Sequence, residues 1–362
     1  MSNIKDNIKS NFLAIDKNWT SNIPDNIEKN RRGKWVHWGS ENNYPNFLYL
    51  LYENVPTLTS IINGIVDYVS GDKVKSNLPT FSDNQMREIV RKITKQISIY
   101  GGVALDIIRS KMGNPISMKV LDMRCIRSDK YNTVFFYSED YRDDIKGYSP
   151  IRNIVFKPYD KLDLNETNSI YFVKDDDFKT YPVPIYGSAV TSCLTEMKIN
   201  RYHLNSISNG FSPSYIINLN NGVPSDEIRN QIEDDINEKF SGEENAGRIM
   251  ICFNDSKDNG IDIVPLDVAD YGEKYEALAK RTRQEIFTSF RANPNLFGIN
   301  TDNNGFATED YVNSYKLFNK TVITPIQQKV VNLINDIFGD GSVEITPFDI
   351  KFDTINTNKT VE

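Results

Sequence analysis

From Leu58 onward, apolar side chains fall at three- and four-residue intervals: Leu58, Ile61, Ile62, Ile65, Val66 and Val69, with Gly71 behind them. That spacing predicts a helix over 57–70 with one face toward a core, stopped by the glycine. A second stripe, Met86, Ile89, Val90, Ile93 and Ile97, predicts another helix that starts at Asp83 as N-cap and ends at Gly101-Gly102. Then the period changes from helical to alternating. "GVALDIIR", "ISMKVLDMR", "TVFFYSE", "NIVFKPYD" and "SIYFVKD" are rich in β-branched and aromatic residues and are separated by polar turns. They predict an antiparallel sheet beside the helices, so residues 41–180 read as an α+β domain.

Long helical periods dominate the second half. Val190, Cys193, Leu194, Met197, Leu204, Ile207 and Phe211 predict one helix over 187–211, with Cys193 and Met197 as core residues. "FSPSYIINLNNGVP" reads as a strand and a turn, 225–240 as a short helix with Ile228, Ile232, Ile236 and Phe240 on one edge, and "GRIMICF" and "GIDIVPLD" as strands. Tyr271, Tyr275, Leu278, Thr282, Ile286 and Phe290 line one side of a helix over 270–291, roughly 33 Å long at ~1.5 Å per residue. A third helix is predicted from Thr308 to Phe338, bent at Pro325, which lacks a backbone donor and crowds the preceding turn. Between these last two lies "NPNLFGINTDNNGFATEDY", a polar stretch where a short turn would suffice. It contains no Lys or Arg from Asn293 to Tyr311 and carries Asp302, Glu309 and Asp310.

The chain has 362 residues, 39% hydrophobic and 25% charged, with a net charge of -7. That balance argues against a protein that coats nucleic acid without sequence preference, because such binding needs Lys and Arg to neutralise phosphates. Three scattered cysteines, Cys125, Cys193 and Cys252, make no disulfide framework or zinc pair and fit a reducing compartment. The opening "MSNIKDNIKSNFLAIDKNW" has no signal-peptide apolar core, and no run approaches the ~20 apolar residues that span a bilayer. Neither export by that route nor membrane embedding is expected. "EKNRRGKWVHWGS" mixes basic and aromatic residues. It is either an arm that touches a neighbour or nucleic acid, or an exposed segment whose Trp35 and Trp38 anchor on the body.

Chemistry-bearing motifs are scarce. Two histidines, His37 and His203, are too few and too distant for a zinc site or a triad. There is no phosphate loop, dinucleotide fingerprint, HExxH or GxSxG. Acidic runs occur at Asp175-Asp176-Asp177, at Glu139-Asp140 with Asp143-Asp144, and at Glu233-Asp234-Asp235. A two-metal nuclease needs carboxylates that converge on ions ~4 Å apart, whereas adjacent acids on strand ends and helix surfaces read as solvated faces. No cofactor, metal site or catalytic residue is expected.

Four stretches in order carry a resemblance: "YPVPIYGSAVTSCLTEMKINRYHLNSISNGFSPSYII", "GEENAGRIMIC", "YEALAKRTRQEIFTSFRANPNLFGI" and "YKLFNKTVITPIQQKVVNLIN", joined upstream by "WGSENNYPNFLYLLYENVPTLTSIINGIVDYVSGD". Over about residues 35–350 the chain resembles the portal proteins of tailed bacteriophages, of the HK97-like type. The resemblance implies an N-terminal arm (1–40), a wing (41–186, completed by the long bent helix and closing strand at 308–350), stem helices at 187–211 and 269–292, a clip (212–268), a tunnel loop (293–307) and a tail (351–362). The family's helical crown would be reduced or absent. It further implies a ring of about twelve copies at the capsid vertex, made in the bacterial host cytoplasm. The ring would contact the major capsid protein, the large terminase and a head–tail adaptor, and pass double-stranded DNA without sequence specificity, away from any membrane.

Within that scheme Asn300, Thr301, Asp302, Asn303, Asn304, Gly305 and Phe306 would face the DNA. Met197, Leu204, Leu278, Ile286 and Phe290 would make the stem and subunit interface, and Ile228, Ile232, Glu233, Asp234, Asp235 and Ile236 would dock the adaptor and terminase. The physics of charge agrees. Asp226 to Glu244 holds eight acids against two bases, net -6, and an acidic lumen repels a polyanion and lets it slide. Two other readings stay open: a different oligomeric virion or scaffold protein, and a metal-dependent nucleic-acid enzyme built on the acidic runs.

Overall fold

The computed structural model describes residues 35–39, 42–139, 141, 154–163, 166–175, 178–208, 215–219, 225, 227, 228, 231, 249–253, 269–299 and 308–348. The chain divides into two units, a body made of Met1–Cys193 with Gln284–Glu362 and an insert made of Leu194–Arg283.

In the body, α1 (Tyr44–Asn54) and α2 (Pro56–Ser70) both begin with proline in the first turn, where its missing N–H costs nothing. The α2 stripe is buried as its spacing predicts, with Leu58, Ile61 and Ile62 fully enclosed, and Gly71 closes the helix at φ 58°. After β1 (Lys73–Ser76), α3 (Asp83–Tyr100) starts one residue earlier than expected in its capping logic. Ser82, not Asp83, is the N-cap: its hydroxyl accepts from the Gln85 N–H at 3.3 Å, and the Gln85 side chain accepts from the Ser82 N–H at 2.9 Å. Asp83 instead accepts from the Ser76 N–H.

The sheet contains β2 (Gly102–Arg109), β3 (Pro115–Leu121), β4 (Ile126–Ser128), β5 (Phe135–Tyr137), β6 (Ile154–Pro158) and β7 (Asn168–Lys174), in the order β3-β2-β7-β6-β5-β4. All five predicted strand segments contribute. One expectation needs correction: β6 and β7 pair parallel, through Lys157 with Ser169 and Pro158 with Ile170. The β4 edge is extended by the segment containing Trp35 and Trp38, since the Val36 N–H donates to Ser128 O at 2.9 Å. Trp38 is fully buried and stacks on Tyr181 at 4.7 Å, and Trp35 packs on Phe136 and Tyr141. The anchored reading of these tryptophans therefore holds. The buried Arg127 ties this segment down: Asn42 accepts through its backbone oxygen at 2.7 Å and through its side-chain oxygen, and the guanidinium lies over the Tyr141 ring. Burial pushes the Arg127 pKa below the usual guanidinium value.

Two helices cross from body to insert: α4 (Val190–Ser208), led in by a short 3₁₀ turn at Gly187–Ala189, and α5 (Ala269–Ser289). The insert also holds β8 (Tyr215–Leu219) and β9 (Ile249–Phe253), which pair parallel from Tyr215 with Ile249 to Leu219 with Phe253. Residues 227, 228 and 231 are helical and Ser225 is not, while the other residues of the predicted 225–240 helix, the strand at "GIDIVPLD" and the end of the 187–211 helix lie outside the described residues.

The last long helix is two helices with a wide turn between them. α6 (Thr308–Phe318) passes through a π turn at Asn319–Ile323 into α7 (Thr324–Phe338). Pro325 marks the place correctly and explains it: with no N–H, it cannot bond the carbonyl of Thr321. The chain widens so that the Thr324 N–H reaches Asn319 O. Finally β10 (Val343–Thr346) pairs antiparallel with β1. Gly71 permits this closure, since a Cβ there would lie 2.1 Å from Thr346 O.

Candidate functional site

The stretch between α5 and α6 is built more firmly than its polar sequence suggests. α5 ends in a Schellman closure: Ala292 N–H donates to Phe287 O and Arg291 N–H to Thr288 O, both at 3.0 Å. Arg291 occupies the left-handed position, φ 54°, that glycine usually takes. Next, Asn293 caps a 3₁₀ turn at Pro294–Phe297. Its side-chain oxygen accepts from Asn295 N–H at 3.0 Å, and its amide donates to Ser314 Oγ of α6 at 2.7 Å. A second closure follows, with Ile299 N–H to Pro294 O at 3.2 Å and Gly298 at φ 77°. Leu296 is buried, and the Phe297 ring sits 5.6 Å from Phe287 and 6.1 Å from Phe318.

Residues 293–299, the first part of the stretch 293–307 expected to be the tunnel loop, therefore form an anchored shoulder of the body. The seven candidates for DNA contact, Asn300, Thr301, Asp302, Asn303, Asn304, Gly305 and Phe306, lie outside the described residues.

The helix candidates separate into two groups. Ile286 and Phe290 are fully buried inside their own protomer, with Phe290 stacked 5.5 Å from Tyr186, whose hydroxyl donates to Ile99 O at 2.9 Å. Side chains enclosed this way hold the body together and are not available to a neighbour, so the expectation that they face another subunit is corrected. Beside them the Ser192 hydroxyl donates to the Glu285 carboxylate at 2.7 Å. In the insert, Leu204 is 63% exposed and Leu278 40% exposed, while Met197 is half-buried. Tyr202 and Tyr275 stack there at 4.7 Å. Of the docking candidates, Ile228 is 52% exposed, and Ile232, Glu233, Asp234, Asp235 and Ile236 lie outside the described residues.

The acidic runs are spread over the surface where they are described. Asp175 pairs with Lys329 Nζ and Glu139 is exposed, while Asp140, Asp143, Asp144, Asp176 and Asp177 lie outside the described residues. Among the described residues no group of three or more His, Cys, Asp or Glu is placed to hold a metal, and no helix is long and apolar enough to cross a membrane. Arg109 is a feature the sequence did not mark. It is buried, donates to the backbone oxygens of Asp160 and Asp163, and lies over the Tyr159 ring. The only trace of it in the sequence is a cation at the inward phase of an apolar strand.

No curated protein matches the chain in sequence. Among solved structures the fold resembles a chain of the "Virion of native gene transfer agent (GTA) particle", 17% identical, covering 84% of this chain and 83% of that one with a TM-score of 0.54. It also resembles a chain of the "Neck of empty GTA particle computed with C6 symmetry", 16% identical, covering 86% and 85% with a TM-score of 0.53. At those identities the likeness speaks for the fold alone. In sequence, residues 82–357 match the family described as phage portal protein. That match takes in the sheet, both crossing helices, the insert, the anchored shoulder and the π-interrupted helix, and by it the chain belongs to the phage portal protein family.

Proposed function

We propose that this protein assembles into a closed ring of about twelve copies at one vertex of a virion capsid, and that double-stranded DNA enters and leaves through the ring's axis. The observation that carries this reading is the family match over residues 82–357. The virion and neck particles whose chains share the fold support it. In this assignment residues 41–186 and 308–350 are the wing, the crossing helices at 187–211 and 269–292 the stem, and 212–268 the clip. The clip is the docking surface for terminase and head–tail adaptor, with Ile228 among its exposed apolar residues. Leu204 and Leu278, exposed on the protomer, are the stem positions left for a neighbouring copy. The ring contributes no catalysis of its own; it is a conduit.

The loop at 300–307 faces the channel. Duplex DNA presents one charge per ~1.7 Å, and each phosphate neutralised by a cation releases counterions and deepens a trap for the moving polymer. A contact surface without Lys or Arg from Asn293 to Tyr311, backed by the net -6 of Asp226 to Glu244, avoids such traps.

Replacing Asn300–Gly305 with a Gly-Ser linker should leave ring assembly intact while packaged genome is lost or poorly retained. Asn303→Lys with Asn304→Arg should slow translocation, most at low salt where screening is weakest. Wild-type packaging by both variants at every salt concentration would remove the loop from the channel.

A further inference from the structure

Gly64 stands in the interior of α2, between the exposed Asn63 and the buried Ile65. Glycine in a helix interior lowers stability relative to alanine, so its presence there needs a cause. Its backbone is not the cause, since Gly64 is absent from the positive-φ residues. The cause lies opposite. A Cβ at position 64 would come 2.5 Å from Phe297 Cε1 and 3.3 and 3.4 Å from two further atoms of the same ring. Phe297 belongs to the 3₁₀ turn of the anchored shoulder, and its ring also meets Phe287 at the end of α5 and Phe318 at the end of α6. One ring thus touches both helices that flank the loop, and Gly64 provides the floor under it.

We infer that Gly64 is a positioning residue: it seats Phe297 and so sets where the loop at 300–307 leaves the body. This rests on the reading that the loop faces the channel, but the seat can be tested apart from it. With Gly64→Ala the ring must leave its floor, because an aromatic ring cannot bend away as a flexible chain end would. The shoulder's hydrogen bonds, Leu296 N–H to Asn293 O at 3.0 Å and Ile299 N–H to Pro294 O, then lose their backing.

The test uses amide hydrogen exchange on assembled full-length protein, with packaging measured in parallel. Gly64→Ala should speed exchange of the Leu296, Gly298 and Ile299 amides about tenfold, while Ser60→Ala, exposed on the same helix, leaves them unchanged. Gly64→Ala with Phe297→Leu should return exchange toward wild type, because the smaller side chain clears the new methyl. If Gly64→Ala alone fails to fold, the Phe297→Leu partner must restore folding. Unchanged exchange in Gly64→Ala, or no rescue by Phe297→Leu, overturns the inference. Faster exchange with rescue, but wild-type packaging throughout, overturns the claim that the seat sets where the loop leaves the body, while the loop's own role in the channel is decided separately by the Asn300–Gly305 and Asn303→Lys/Asn304→Arg variants.

Discussion

Ile286 separates two accounts of what holds the long helices. Its apolar stripe suggests a subunit interface, yet the side chain is fully buried within one protomer, as are its neighbours along the helix, Phe287 and Phe290. Ile286→Asp deletes the burial of an isoleucine, about 2–3 kcal/mol, and leaves an unpaired polar group in the core at a cost of several kcal/mol more. The sum, roughly 5 kcal/mol or more, compares with total stabilities of ~5–15 kcal/mol for folded domains. The protomer itself should therefore unfold or melt far lower. Leu204→Asp and Leu278→Asp act on side chains already 63% and 40% exposed, so each should cost protomer stability about 1–2 kcal/mol, well short of Ile286→Asp. They should instead reduce the assembled mass. Thermal melting of dilute protein, with light scattering for mass, reads both quantities. An Ile286→Asp protein that melts like wild type and fails only to assemble would refute the burial argument and restore Ile286 to the interface.

The π turn at Asn319–Ile323 holds one residue more than a regular helix needs, so deleting the exposed Lys320 should let α6 run straight into α7 with both flanks still packed. Circular dichroism and melting should show a folded protein, whereas deleting Gln328, inside the regular part of α7, should unfold it; equal damage from both deletions would contradict the extra-residue reading. Burial pushes the Asp129 carboxyl up, but hydrogen bonds from the Thr133 hydroxyl and the Thr133 and Val134 N–H groups outweigh it and hold its pKa below the usual value. A depressed pKa contributes stability that is present above the unfolded carboxylate pKa and lost as pH falls through the folded one. Asp129→Ala should therefore destabilise at neutral pH and converge with wild type in acid, and urea melts showing a pH-independent gap would count against this.

What was legible in the sequence followed from periodicity. The stripes of α2 and α3 and the five strand segments of the sheet could be read directly, because a half-buried element writes its buried face into its own residues. What was not legible depended on a partner far along the chain. The parallel pairing of β6 with β7 is invisible in either strand's pattern. The stripe through Ile286 and Phe290 told that one face of α5 is apolar but not that Tyr186 covers it. Pro325 located the break in the last helix, yet whether the chain would kink or widen depended on Asn319, five residues before Thr324, accepting its N–H. Ser82 and Asp83 both suit an N-cap, and only the reach of Gln85 to the Ser82 N–H decides between them. At the loop, "NPNLFGI" looked like part of a polar excursion because a 3₁₀ turn is too short to show a period.

The central claim, that this portal-family chain closes into a ring around an open axis, is tested most directly by native mass measurement of the purified full-length protein together with electron-microscope images of the same sample. The account predicts a discrete assembly of about twelve protomers seen end-on as a ring with a central hole. A monomer, a dimer or an open-ended filament under conditions where the protein is folded would contradict it.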